Sequence, residues 1–134
     1  MRIGRIVVGL LALGLAACAP ALPPNRMQVV NLPGLAGTYS GTMNEASELD
    51  RAVTFVLRPD GTFELVASDP KGFRTIGSVG LLPDGTLSYQ YNEMKGRGQV
   101  ATGWGAVYEG DGRRAIVLTQ SDNSTTTTVS RPLP

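Results

Sequence analysis

The chain has 134 residues, with 12 Lys and Arg against 11 Asp and Glu, no histidine and a single cysteine. That length holds one small domain, and a charge balance this close to neutral argues against a general affinity for nucleic acid or for anionic lipid. Without histidine the commonest general base and the commonest metal ligand at neutral pH are both missing, and with one cysteine no internal disulfide can hold a core together.

Arg2 and Arg5 precede an apolar run from Ile6 to Leu13, and small residues lead to Cys18, the three-part layout of a secretory leader. The run is too short to span a bilayer, which needs about 20 apolar residues. Leu15-Ala16-Ala17-Cys18 resembles the lipobox of bacterial lipoproteins, in which a hydrophobic residue and two small ones precede the cysteine that is cleaved at and acylated. The resemblance implies a signal peptide over residues 1–17 and a diacylglycerol thioether on Cys18, in most such proteins with a third acyl chain on the new amino terminus. Chains of that kind moor a protein essentially permanently, since each buried CH₂ contributes about 0.8 kcal/mol. Ala19 follows the cysteine where Asp would retain it, so in family terms the destination is the outer membrane of a Gram-negative cell, at its periplasmic face. An ordinary secretory leader would instead leave Cys18 as a free thiol exposed to oxidation.

Residues 18–36 carry Pro20, Pro23, Pro24 and Pro33 with few regularly spaced apolar residues, the composition of a tether. At about 3.1 Å per residue such a segment could hold the domain up to ~45 Å from the lipid. Met27-Gln28-Val29-Val30 interrupts it, and either docks on the domain or forms an edge strand.

The body, residues 37–134, alternates. Thr38, Ser40 and Thr42 interleave with Tyr39, Gly41 and Met43; Val53, Phe55 and Leu57 share a face, as do Phe63, Leu65 and Ala67, and then Leu87, Tyr89 and Tyr91. Period two is the signature of half-buried strands. Further strands are predicted over 74–82, 98–108 and 113–120. The hydroxyl-rich run 124–131 suits an edge strand or one that closes the sheet against Tyr39. Pro59-Asp60-Gly61-Thr62-Phe63 and Pro83-Asp84-Gly85-Thr86-Leu87 repeat one pattern. Proline presets the turn, Asp accepts a nearby backbone hydrogen bond and Gly takes the left-handed conformation of the adjoining bulge. Both are read as hairpin tips, with a third due at Gly110-Asp111-Gly112.

The expected fold is therefore all-β: a small antiparallel up-and-down meander of seven or eight strands, closed or nearly closed into a barrel because closure removes aggregation-prone edges. An open curved sheet or a β-sandwich is the alternative. Gly77, Gly80, Gly103 and Gly105 inside strands fit sharp bending. Gly37-Thr38-Tyr39 resembles the opening Gly-x-Trp of lipocalin-like and avidin-like barrels, with Tyr as the aromatic; this supports the barrel and transfers no ligand.

Four sets of residues are candidates for function. Tyr89, Tyr91, Trp104 and Tyr108 could line an interior pocket if their faces coincide, or simply fill the core. Lys71, Arg74, Lys95 and Arg97 fall on or beside two loops at one end and could engage a partner's acidic groups, or serve as solubilising charge. Glu109-Gly110-Asp111 and Ser121-Asp122-Asn123 could bring carboxylates together as a calcium site requires, although acidic residues in turns usually serve the turn. Glu45 and Glu48 could act as acid and base, but have no His or nucleophile beside them. The expectation is a monomeric, non-catalytic binding module without metal or cofactor, whose partners are the membrane, through its lipid, and an envelope protein or an enzyme it inhibits. The alternative is a lipocalin-like carrier of a small hydrophobic ligand.

Overall fold

The computed structural model describes residues 22–45, 50–67, 72, 74–91 and 101–134. Cys18, Glu48, Lys71, Lys95 and Arg97 lie outside the described residues. Among the latter are nine strands: β1 (Asn25–Met27), β2 (Gly37–Glu45), β3 (Arg51–Leu57), β4 (Thr62–Ala67), β5 (Arg74–Leu81), β6 (Leu87–Tyr91), β7 (Ala101–Gly110), β8 (Arg113–Gln120) and β9 (Thr125–Pro132). The alternation read from the sequence is the alternation of burial. Tyr39, Met43, Phe55, Phe63, Leu65, Tyr91, Ile116 and Val129 are all buried, and the residues between them face outward.

Strands β2 to β9 pair antiparallel in chain order, and β9 returns to β2 from Ser40↔Ser130 to Glu45↔Thr125. The result is a closed eight-stranded up-and-down barrel, neither an open sheet nor a sandwich. The threonine-rich β9 is thus no edge strand. Thr125, Thr127 and Val129 point inward while Thr126, Thr128 and Ser130 form part of the outer wall.

Closing so few strands brings side chains and neighbouring backbone into close quarters. A Cβ on Gly77 would stand 2.2 Å from the Gln90 carbonyl oxygen and 2.6 Å from the Phe63 ring; one on Gly103 would stand 2.1 Å from the Thr119 oxygen and 2.7 Å from the Tyr89 ring. These positions are open to glycine alone, and the space they leave is taken by aromatics. A continuous run of ring contacts crosses the interior: Tyr39 to Phe55 at 6.2 Å, Phe55 to Phe63 at 5.0 Å, Phe63 to Tyr91 at 5.7 Å and Tyr91 to Tyr89 at 5.3 Å. Tilted and edge-on geometries of this kind stabilise beyond simple area burial.

From Leu22 to Ala36, the described part of the segment expected to be tether packs onto the body. β1 continues the ladder on β7 just past the point where β6 begins, Met27↔Val107 to Asn25↔Glu109 following Leu87↔Gly105. Val29 is buried and its N–H donates to the Gly85 carbonyl at 3.1 Å, so the Met27–Val30 stretch both docks and pairs. Asn31 then caps a short 3₁₀ turn, Leu32–Leu35, its side chain accepting from the Gly34 N–H at 3.2 Å. Leu35 is buried as a plug in that end of the barrel.

Three successive carbonyls of the plug each accept a side-chain donor from the barrel. Arg114 Nη1 reaches Gly34 O at 3.0 Å, the Tyr39 hydroxyl reaches Leu35 O at 2.7 Å, and Arg131 Nη1 reaches Ala36 O at 3.3 Å. The Arg131 guanidinium also lies 5.7 Å above the Tyr39 ring centroid, within cation–π range. Gly37 makes this possible: its φ of 152° suits glycine, and a Cβ there would collide with the Arg131 guanidinium. The Gly37-Thr38-Tyr39 opening is thus the place where the N-terminal segment is locked under the barrel.

The hairpin tips between β3 and β4, β5 and β6, and β7 and β8 gather at this plugged end, and β2, β4, β6 and β8 finish at the opposite, far end. The two Pro-Asp-Gly-Thr turns are alike atom for atom. Gly61 N–H donates to Arg58 O and Gly85 N–H to Leu82 O, both at 2.9 Å, and Asp60 and Asp84 each accept from the N–H and hydroxyl of the Thr two residues on. The third tip differs. Asp111 and Gly112 both have positive φ, 54° and 74°, and form a two-residue hairpin. The third relative of the Asp turn lies at the far end, between β8 and β9. There Asp122 accepts from the Ser124 N–H at 2.9 Å, and Asn123, at φ 62°, stands where the others have glycine.

Candidate functional site

The four aromatics singled out by alternation do not share a face. Register pairs Tyr89 with Gly103 and Ser88 with Trp104, so odd-numbered residues of β7 point inward and Trp104 and Tyr108 point out. The glycines hide this in the sequence, because the inward face of β7 there is Gly103 and Gly105 and its bulky residues lie on the solvent side. Tyr89 and Tyr91 are core, 4% and 0% exposed. Burial pushes the Tyr91 phenol up to about 12 and raises that of Tyr89 as well, so neither is a proton carrier near neutral pH.

The carboxylates considered for a metal are also apart. Glu109 and Asp111 belong to the plugged end and Asp122 to the far end, with the whole of β8 between them. Glu109 is engaged by Arg114 Nε at 2.7 Å, and Asp122 by its own turn. Glu45 ends β2, and its proposed companion Glu48 is not among the described residues. Of the basic quartet only Arg74 is described; it is ion-paired with Glu64 across the β4–β5 ladder, on the outer wall.

The outer wall holds an arrangement the sequence does not advertise. The outward positions of β2 are Thr38, Ser40, Thr42 and Asn44, and those of β6 are Ser88 and Gln90. Those of β7 are Thr102, Trp104, Ala106 and Tyr108; those of β8 from residue 115 onward are Ala115, Val117 and Thr119; those of β9 include Thr126, Thr128 and Ser130. None is charged. Register sets them side by side as Ser88, Trp104, Thr119, Thr126 and Asn44 in one row, and as Val117, Thr128 and Thr42 in the next. Among the described residues, charge borders this surface at Arg26, the register partner of Tyr108, at Asp50, whose carboxylate accepts from Asn44 Nδ2 at 2.6 Å, and at Arg113, which donates to Ser130; the Glu64–Arg74 pair lies on the other side.

Trp104, 45% exposed, stands in this surface beside an open groove of about 410 Å³ lined by residues that include Ser78, Ser88, Gln90, Thr102 and Ser121. The groove's rim is fixed by Ser121, whose N–H and hydroxyl both donate to the Thr102 carbonyl at 2.8 Å. Such a surface offers an indole face together with neutral donors and acceptors. Its polarity also runs opposite to that of a membrane-spanning barrel, which is apolar outside and polar within. The sequence signal was present as the hydroxyls of 38–42 and 124–128, but only pairing of the first strand with the last makes them one surface.

Fold and wall together define the class: a closed, plugged eight-stranded β-barrel with an apolar aromatic interior and a hydroxyl-rich wall on one side. The chain matches no known protein family, no curated protein and no solved structure.

Proposed function

We propose that the protein is a lipid-anchored, non-catalytic binding module of the cell envelope, held at the periplasmic face of the outer membrane through Cys18, which presents the uncharged wall around Trp104 to a partner molecule. The observation that carries this reading is the exposed indole whose neighbours across the ladder and along its own strand, Ser88, Thr102, Ala106 and Thr119, are all uncharged. Cores of protein interfaces are depleted in charge, and tryptophan is prominent among the residues that dominate binding energy. A carrier function draws less support, because the aromatic run from Tyr39 to Tyr89 occupies the barrel interior.

Site-specific photo-crosslinking in the producing cell tests it. A benzophenone side chain at position 104 is expected to give one dominant adduct, whereas the same group at Val66, on strand β4 beside the Glu64–Arg74 pair, gives none. Absence of an adduct at 104, or equal adducts at both positions, overturns the assignment. A small molecule co-purifying in native mass spectrometry would favour the carrier instead.

A further inference from the structure

We propose that the plugged end of the barrel rests directly on the lipid surface, with the far end and the Trp104 wall held clear of it. The inference rests on the lipid anchor at Cys18 proposed above, and adds to it an orientation and a second, non-covalent membrane contact.

The length of chain outside the described residues is the first argument. Pro24 packs beside Gly110 at the β7–β8 tip, and β1 runs antiparallel to β7, so the chain arrives at the plugged end. Cys18 lies only four positions before Leu22. Fully extended, four residues reach about 14 Å, and the polar headgroup layer that separates a glycerol-linked sulfur from water takes up roughly 5–8 Å of this. The slack expected of a tether over residues 18–36 is gone, because most of that segment is folded under the barrel by Arg114, Tyr39 and Arg131.

The distribution of exposed apolar side chains is the second argument. Among the described residues the large ones are Leu22 (43%), Met27 (37%), Val30 (83%), Leu81 (38%), Leu82 (40%), Ile76 (40%) and Trp104 (45%). The first five belong to the N-terminal segment or to the β5–β6 tip that it docks against, all at the end the anchor enters. Val30 stands nearly free of the protein one residue after the buried, hydrogen-bonded Val29, so it is presented on a fixed support. Arg26, Arg58, Arg113, Arg114 and Arg131 share this end with Asp60, Asp84, Glu109 and Asp111. With charges so nearly balanced, contact comes from apolar insertion and the short anchor rather than from attraction to anionic headgroups.

The test uses the full lipidated protein purified from membranes of the producing cell and reconstituted into phosphatidylethanolamine–phosphatidylglycerol vesicles containing a headgroup-level nitroxide quencher. Acylation consumes the chain's only thiol, so Val30→Cys, Leu82→Cys and Asn123→Cys each offer one site for an environment-sensitive fluorophore. Labels at 30 and 82 are expected to shift to the blue and lose most of their emission to the quencher, unchanged by added salt, while the label at 123 keeps its aqueous spectrum. Vesicle-bound protein with all three labels equally unquenched, or with 123 quenched and 30 not, overturns the orientation while leaving the anchor intact. An unmodified Cys18 by mass spectrometry, with no flotation on vesicles, overturns the anchor and this inference with it.

Discussion

At the scale of single residues, the molecule depends on a few positions where any side chain is too much. Gly103 and Gly80 lie on adjacent parts of the same sheet and look equivalent in sequence, yet their surroundings differ. A Cβ on Gly103 meets the Thr119 carbonyl at 2.1 Å and the Tyr89 ring, whereas on Gly80 its nearest neighbour is the movable Ser88 hydroxyl at 3.0 Å. Gly103→Ala is expected to lower unfolding free energy by about 2–3 kcal/mol, the range for overpacking, and Gly80→Ala to change it by no more than about 0.5 kcal/mol. Equal urea midpoints for the two variants would show that interior crowding does not select glycine here. Trp104 is the opposite kind of residue, one whose size serves nothing inside the barrel. The sequence displays Trp104 and Tyr108 as a pair of aromatics in a strand, and such residues ordinarily face the core; which way they point was decided by Tyr89 lying over Gly103, a fact of register.

At the scale of elements, the Asp turns were legible because their chemistry is local. Asp60, Asp84 and Asp122 each accept hydrogen bonds from the hydroxyl and N–H of a Thr or Ser two residues on, and these hold all three carboxyls below their ordinary range. A depressed carboxylate contributes stability that is present above its unfolded pKa and is lost as pH falls through its folded value. Carboxyl-carbon NMR titration of the folded protein should therefore find these three Asp midpoints below those in urea, and Thr62→Val and Thr86→Val should move the Asp60 and Asp84 midpoints up. Midpoints indifferent to the loss of the hydroxyl would assign the depression to something else. The third Asp turn does not show as a repeat in the sequence because Ser121-Asp122-Asn123-Ser124 replaces three residues of the pattern with others able to do the same work, Asn tolerating the left-handed conformation that Gly adopts in the other two. Met27–Val30 docks and pairs, the two behaviours expected of it, and the rest of the N-terminal segment reads as tether for a related reason. Prolines mark extended backbone, but extended backbone becomes strand when a ladder is open to receive it, and β7 beyond its last pairing with β6 is such a ladder.

At the scale of the whole molecule, the aromatic interior sets the alkaline limit of stability. Burial raises the Tyr89 and Tyr91 phenols, the latter to about 12, so the stability from burying them neutral is fully present below the ordinary tyrosine value of about 10 and is lost as pH rises through the folded values. Tyrosinate absorbance should show these two rings still protonated in folded protein at about pH 11, with their ionisation accompanying loss of the strand circular dichroism signal. Early ionisation without unfolding would mean that water reaches the barrel centre.

The positions of β2 to β9 and of the hairpin tips were determined by the sequence alone, because each rests on interactions between residues a few places apart: period-two burial, and Asp and Gly turn chemistry. Which face is inside on β7, the joining of β2 to β9 into one hydroxyl surface, and the capture of residues 25–36 beneath the barrel were decided only by tertiary structure. Their physical cause is register between strands far apart in the chain, which no local pattern encodes. It places Gly103 under Tyr89, Ser130 beside Ser40 and Arg131 over Tyr39.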